Sequence, residues 1–267
     1  MNTTRVGAIV LRQLYLMRSS PTRVVPLFAW VAIDIVLWGF IARYLNSATR
    51  GGPDFVFSLL GAVLLWDFFT RIMHGLITAF LEDVWSRNFL NIFATPLTIT
   101  EYIAGLVVTS MLTSLVGLAA MLLLAGGGFG LSFFIYGIAF VPFILILFLF
   151  GIALGIFACA CVLRFGPAAE WLAWPLPALL SPFAAVFYPL SVLPEWMQWI
   201  AHAMPPAYAF EAMRAIVAGG SASPAALAWG LVLAVGYIVL AFAFFTRVYR
   251  NAVRSGLLAR YSAESAG

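Results

Sequence analysis

The strongest constraint on the fold is a series of long apolar stretches that contain almost no charged residues. A helix needs about 20 apolar residues to cross a bilayer. Six stretches have this length: 24–42, 56–80, 102–125, 133–162, 171–192 and 225–246. Only 9% of the chain is charged, whereas a soluble domain carries about 25%. The sequence therefore predicts an all-α membrane protein, with six transmembrane helices in a single transmembrane domain over residues 1–267.

Prolines are expected to distort two of the six predicted spans. The fourth, 133–162, is longer than a bilayer requires, and we predict that it tilts or bends at Pro142. The fifth contains Pro175, Pro177 and Pro182. We expect it to be irregular and shielded by neighbouring protein, because backbone groups freed by proline cannot face lipid.

An amphipathic segment precedes the first span. Between residues 1 and 22, apolar residues recur at helical spacing, and Arg5 and Arg12 lie on another face. This pattern is typical of a helix in the membrane interface, which Pro21 would end. The alternative is that these residues simply form the cytosolic start of the first span.

Two connections between spans are long enough to form helices of their own. Residues 82–95 indicate a short amphipathic helix that ends before Pro96. Residues 194–218 indicate two short outer helices, which we expect to re-enter the outer leaflet. The first begins at Pro194 and carries Trp196 and Trp199 on one face, and the pair Pro205–Pro206 separates the two.

The distribution of arginine predicts the orientation, because cationic residues concentrate in cytoplasmic loops. With six spans, both termini share one side of the membrane. That side holds Arg5, Arg12, Arg18, Arg23, Arg87, Arg164, Arg247, Arg250, Arg254 and Arg260. The other side holds Arg43, Arg50 and Arg214. We therefore expect both termini in the cytoplasm, and we expect the basic residues to face membrane lipids and no nucleic acid.

Four ionisable residues fall inside predicted spans, where they are costly and need a reason. Asp34 lies in the first span. Asp67, Arg71 and His74 share one face of the second, and spacing favours an ion pair between Asp67 and Arg71. Three interpretations stay open: a polar cluster that locks helix packing, a polar lining on a substrate path, or a proton relay.

Catalytic and cofactor sites are not indicated. All 14 cationic residues are arginine, so the lysine of a phosphate-binding P-loop is missing. The two histidines, His74 and His202, fall on different sides of the predicted topology. No pattern typical of a catalytic set or of a metal site stands out, so we expect neither on this chain.

Three segments resemble the permease subunit of ABC-2 type exporters. The first is Glu82-Asp83 with Arg87, followed by Ala94-Thr95-Pro96-Leu97-Thr98 and Glu101. The second is the segment 187–196, Phe-Tyr-Pro-Leu-Ser-Val-Leu-Pro-Glu-Trp. The third is Met204-Pro205-Pro206-Ala207-Tyr208, followed by Glu211-Ala212-Met213-Arg214. The resemblance covers nearly the whole chain in order and spacing, with one departure: Asn88 follows Arg87, where the family often has glycine.

The resemblance implies a division of labour between subunits. Two copies of the chain would form a translocation path in the bacterial inner membrane. Two copies of a separate ABC-type ATPase, which would carry ATP and Mg²⁺, would receive helix 82–95 as a coupling helix. The resemblance assigns coupling to Glu82, Asp83, Arg87, Phe89 and Pro96.

The cargo implied is amphipathic, lipid-like or a glycan. Two other functions stay open. One is a membrane enzyme that handles lipids, and the other is a secondary transporter without an ATPase, for which internal repeats would be expected.

Overall fold

The computed structural model describes residues 1–48, 56–86, 88, 91–92, 94–166 and 169–255. Over these residues the chain is helical and contains no strand. The long helices are α1 (Thr3–Ser19), α2 (Pro21–Ala48), α3 (Gly61–Trp85), α4 (Ile99–Phe129), α5 (Phe140–Phe165) and α10 (Pro224–Arg254). A π-helical turn, Val56–Leu60, leads into α3, and a 3₁₀ helix, Phe133–Ala139, leads into α5.

Short helices fill the region between α5 and α10. They are α6 (Glu170–Ala173), α7 (Leu176–Leu180), a 3₁₀ turn (Leu190–Val192), α8 (Glu195–Ala203) and α9 (Pro205–Val217). Among the described residues, five stretches are long and apolar enough to cross a membrane. The segment 171–192, predicted as the fifth span, is not a continuous helix. It contains four prolines, which disfavour one: Pro175, Pro177, Pro182 and Pro189.

The helix ends follow local rules of capping. Asn2 caps α1, and its side chain accepts a hydrogen bond from the Thr4 N–H at 3.0 Å. The Thr98 hydroxyl and the Glu101 carboxylate form a capping box at the start of α4. Gly130 ends α4 with a φ of +72°, a conformation that glycine adopts without strain.

The predicted bend at Pro142 is wrong in position. The helical run breaks at Gly137, which has φ +52° and ψ −139°. Pro142 lies in the first turn of α5, where a missing backbone N–H removes no intrahelical hydrogen bond.

Helix α3 is the centre of the bundle. Its side chains are buried along most of its length, against α4 on one side and α5 on the other. Gly151 and Gly155 of α5 allow a close approach, because a Cβ at either position would lie 3.1 Å from side chains of α3.

Aromatic contacts give the directions of the helices. Phe69 stacks on Phe150, and Phe150 in turn contacts Tyr237, with centroid distances of 5.6 and 5.2 Å. Further along, Phe157 contacts Phe244 at 5.6 Å. Helices α3, α5 and α10 are therefore parallel, and the chain from Gly166 to Ser223 returns from one end of the bundle to the other.

Helix α4 runs antiparallel to α3, since Ser110 contacts Ile72 and Tyr102 contacts Asp83. We call the end of the bundle that holds α1, Trp85 and Ile99 the α1 end, and the opposite end the far end. Helix α2 finishes at the far end, where Arg43 contacts the Gly128 carbonyl. The start of α2 and the finish of α10 both lie at the α1 end.

Candidate functional site

A buried carboxylate connects three helices at the α1 end. Asp83, in the last turn of α3, is fully buried. Its Oδ2 accepts a hydrogen bond from the Tyr102 hydroxyl of α4 at 2.8 Å and from Arg12 Nη1 of α1 at 3.0 Å. Arg12 Nη2 also donates to Oδ1, so the pair is bidentate. This hydrogen bonding raises the pKa of Arg12 above its usual range.

A second contact attaches α1 to the segment that precedes α4. Glu101 accepts hydrogen bonds from the Asn2 N–H at 2.7 Å and from the Thr98 N–H at 3.0 Å. Arg5 lies 3.5 Å from the same carboxylate and also donates to the carbonyl of Pro96. Helix α1 is therefore held at two of its three arginines, Arg5 and Arg12, over the junction between α3 and α4.

The residues predicted to couple to the ATPase differ in their positions in the structure. Glu82 and Asp83 belong to the last turn of α3, and Asp83 points into the bundle. Its side chain contacts Arg12 of α1 and Tyr102 of α4, so any part it plays in coupling is indirect and passes through those two helices. Pro96 is exposed. Arg87 and Phe89 lie outside the described residues, so their predicted role stays a prediction.

The four intramembrane residues line one cavity of about 580 Å³. Arg71 Nε donates to Asp67 Oδ2 at 3.1 Å, which confirms the predicted ion pair. His74 Nε2 lies 3.4 Å from the Trp174 carbonyl oxygen, and the two rings lie 4.8 Å apart. Asp34 enters the same cavity from α2, so the structure brings together residues of two predicted spans.

Two polar side chains of this cavity have unsatisfied donors. Gln13 of α1 is 1% exposed, and its Nε2 has no hydrogen-bond partner among the described residues. The buried Thr70 hydroxyl oxygen also has none within the described part of the chain. Most buried polar groups in proteins are satisfied, so these two mark a surface suited to a bound molecule or to water.

The predicted outer residues lie at the far end. Arg214 of α9 donates to Glu211 at 2.7 Å and to the Val186 carbonyl at 3.2 Å. Glu211 in turn accepts from the Leu190 N–H at 2.9 Å. Nearby, Ala185 has a φ of +53°, which is rare for a residue with a Cβ. This network holds the irregular return segment in place.

The two predicted outer helices differ in their surroundings. Pro194 precedes α8, on which Trp196 and Trp199 are exposed. Pro205 and Pro206 form the first turn of α9, where proline is favoured. Helix α9 packs against α5 and α10, so it is part of the bundle. Re-entry into the outer leaflet stays a prediction for both helices.

Sequence reasoning missed several residues of the site. The capping box of Thr98 and Glu101 carries a recognisable signature, Thr-x-x-Glu. By contrast, Arg12 and Asp83 are 71 residues apart, and nothing local relates them. Gln13 and Thr70 give no signal at all, because a single polar residue on a helix face is ordinary.

The fold and the polar site define a multi-pass helical membrane protein with a polar cavity and a tightly connected α1 end. Within the described residues, no group of His, Cys, Asp and Glu could hold a metal ion. A comparison with protein families adds the class: residues 5–218 match the model of the ABC-2 type transporter. This chain therefore belongs to the ABC-2 type transporter family, as a membrane permease component of an ABC transporter. A search of curated proteins found no match.

Proposed function

We propose that this chain is the permease subunit of an ATP-driven exporter and works as a dimer with two copies of a separate ABC-type ATPase. The observation that carries the proposal is the connection of α1 to the α3–α4 junction through Asp83 and Glu101. A force applied at residues 82–98 would reach α1, α3 and α4 together. Helices α1, α3 and α4 would therefore move as one body when the ATPase changes conformation.

The ATPase would bind at the α1 end. Permeases of this family generally work with an ABC ATPase, and this chain has no lysine for a P-loop. ATP and Mg²⁺ would therefore be held by the partner. Glu82, Arg87, Phe89 and Pro96 would form the contact, with Asp83 acting indirectly.

Arginine placement supports a cytoplasmic α1 end. The arginines at that end include Arg5, Arg12, Arg18, Arg164, Arg247, Arg250 and Arg254, whereas Arg43 and Arg214 lie at the far end. Cationic residues concentrate on the cytoplasmic side. Both termini would then lie in the cytoplasm and the chain in a bacterial inner membrane.

Helix α2 offers a surface for the second copy. One of its faces is exposed and apolar, and it carries Ile33, Val36, Leu37, Phe40 and Tyr44. The α2 faces of two copies, or one such face together with lipid, would line a path for an amphipathic, lipid-like or glycan cargo. The short helices α8 and α9 would close the path at the far end.

The test is coexpression with the cytosolic ABC-type ATPase encoded nearest to this chain, followed by ATPase and transport assays in proteoliposomes. We expect the two proteins to copurify. Glu82→Arg and Arg87→Glu should each reduce transport at least tenfold while ATP hydrolysis continues. The matched control is Arg250→Glu on α10, an exposed charge at the same end of the bundle but outside the proposed contact, which should leave transport unchanged. Normal transport by both coupling variants, or transport by the permease alone, would refute the proposal.

A further inference from the structure

We propose that the cavity between α1, α2, α3 and α4 binds the charged group of an amphipathic organic cation. The inference rests on the proposed transport function and adds the chemical class of the cargo. Four features of the cavity carry it: an unpaired carboxylate, an excess of negative charge, unsatisfied hydrogen-bond donors and aromatic walls.

Asp34 is the unpaired carboxylate. It lies on the cavity side of α2, and it makes neither a hydrogen bond nor an ion pair in the described part of the molecule. Asp67, by contrast, holds Arg71 at 3.1 Å. A carboxylate among membrane helices is expensive unless something compensates it.

The middle of the cavity has more negative than positive groups. Asp34 and Asp67 both interact electrostatically with Arg71, the one arginine among the described residues that line the cavity. His74 contacts the Trp174 carbonyl. One guanidinium cannot pair fully with two carboxylates, so a cationic ligand beside Asp34 would complete the charge balance. An anionic ligand would increase the imbalance.

The orphaned donors point to a ligand that also accepts hydrogen bonds. Gln13 Nε2 and the Thr70 hydroxyl border the same cavity and lack partners within the described chain. An ether, hydroxyl or carbonyl oxygen on the cargo would satisfy them. Burial of such donors without a partner is costly, because each one gives up its hydrogen bonds to water.

Aromatic walls favour an organic cation over a metal ion. Trp30 lies one helical turn before Asp34 on α2, and Trp174 borders the cavity next to His74. Indole faces attract ammonium and phosphonium groups, and tryptophan does so best. The volume of about 580 Å³ suits a small amphipathic molecule.

The experiment measures binding of tetraphenylphosphonium to the full-length chain in lipid nanodiscs, by equilibrium dialysis against empty nanodiscs. Tetraphenylborate, an anion of nearly the same size and shape, is the matched probe. We expect saturable binding of the cation and none of the anion above the empty-disc background. Asp34→Asn should weaken cation binding at least tenfold, and Asp34→Glu should retain most of it.

Glu195→Gln, a carboxylate change at the far end, is the control and should bind the cation normally. Equal binding of both ions, or full cation binding by Asp34→Asn in a folded sample, would overturn the proposal. Preference for a neutral alkyl glycoside over the cation would overturn it too. The assay contains no ATPase. If the cation does not bind while coupling to the ATPase is intact, only the proposed cargo class is refuted and the proposed permease function is unaffected.

Discussion

At the residue scale, the most consequential side chain is one that the sequence alone presents as an ordinary surface cation. Arg12 lies on an amphipathic helix, where a solvated arginine is the usual expectation. The structure places it on the fully buried Asp83. Buried ion pairs contribute little net stability, but removing one partner leaves an uncompensated charge.

We therefore expect Arg12→Gln to lower the free energy of unfolding by about 3 kcal/mol, because Asp83 would keep only the Tyr102 hydroxyl as a partner. Unfolding by SDS in mixed micelles would measure it. Arg18→Gln is the matched control: Arg18 is exposed on the same helix, and its loss should change stability by less than about 0.5 kcal/mol. Equal effects of the two changes would mean that the Arg12–Asp83 contact does not stabilise the protein.

The same scale shows which side-chain contacts can be predicted from sequence. Asp67 and Arg71 are four residues apart on one helix, so their pairing follows from helical geometry alone. The contact of Arg12 with Asp83 requires the path of α2 and α3 to bring distant residues together. Local spacing carries no information about such a path.

At the element scale, the long apolar stretches of the sequence predict most of the long helices. Where the observed helices differ from the prediction, the difference has a physical cause. Long apolar runs predicted the presence of α2, α3, α4, α5 and α10, but the predicted bounds differ from the observed ones by up to eight residues, as 246 against 254 does for α10. The break before α5 falls at Gly137 because only glycine adopts its φ of +52° easily. The bend was predicted at Pro142 because proline disrupts the interior of a helix, but proline is tolerated in a first helical turn.

The close contact between α3 and α5 depends on the small size of Gly151. Gly151→Leu would place a Cβ 3.1 Å from both the Ile72 side chain and the Phe69 carbonyl. We expect the helices to separate, with a loss of about 2–3 kcal/mol in the same SDS titration. Gly236→Leu on α10, where nothing lies within 4 Å, should be neutral or slightly stabilising because leucine favours helix. A stable Gly151→Leu protein would show that close packing is unnecessary there.

At the scale of the whole molecule, the parallel course of α3, α5 and α10 decides the topology. Parallel helices need a return path, and the segment from Gly166 to Ser223 provides it although it contains no long helix. Its backbone is supported by the Glu211–Arg214 network and by packing of α9 against α5 and α10. Irregular backbone at membrane depth is tolerated only where protein surrounds it.

This topology predicts which positions are accessible from each side of a cell membrane. Ser86 and Ser255 are exposed at the α1 end, and Ser221 is exposed just before α10 at the far end. In a background of Cys159→Ala with Cys161→Ala, single cysteines at these positions would be treated with a membrane-impermeant maleimide. We expect Ser221→Cys to react in intact cells, and Ser86→Cys and Ser255→Cys to react only in inverted vesicles. Reaction of Ser86→Cys and Ser221→Cys from one side, with Ser255→Cys on the other, would mean that the return segment does not cross the membrane. A reversed pattern would place the α1 end outside, where no cytosolic ATPase could reach it.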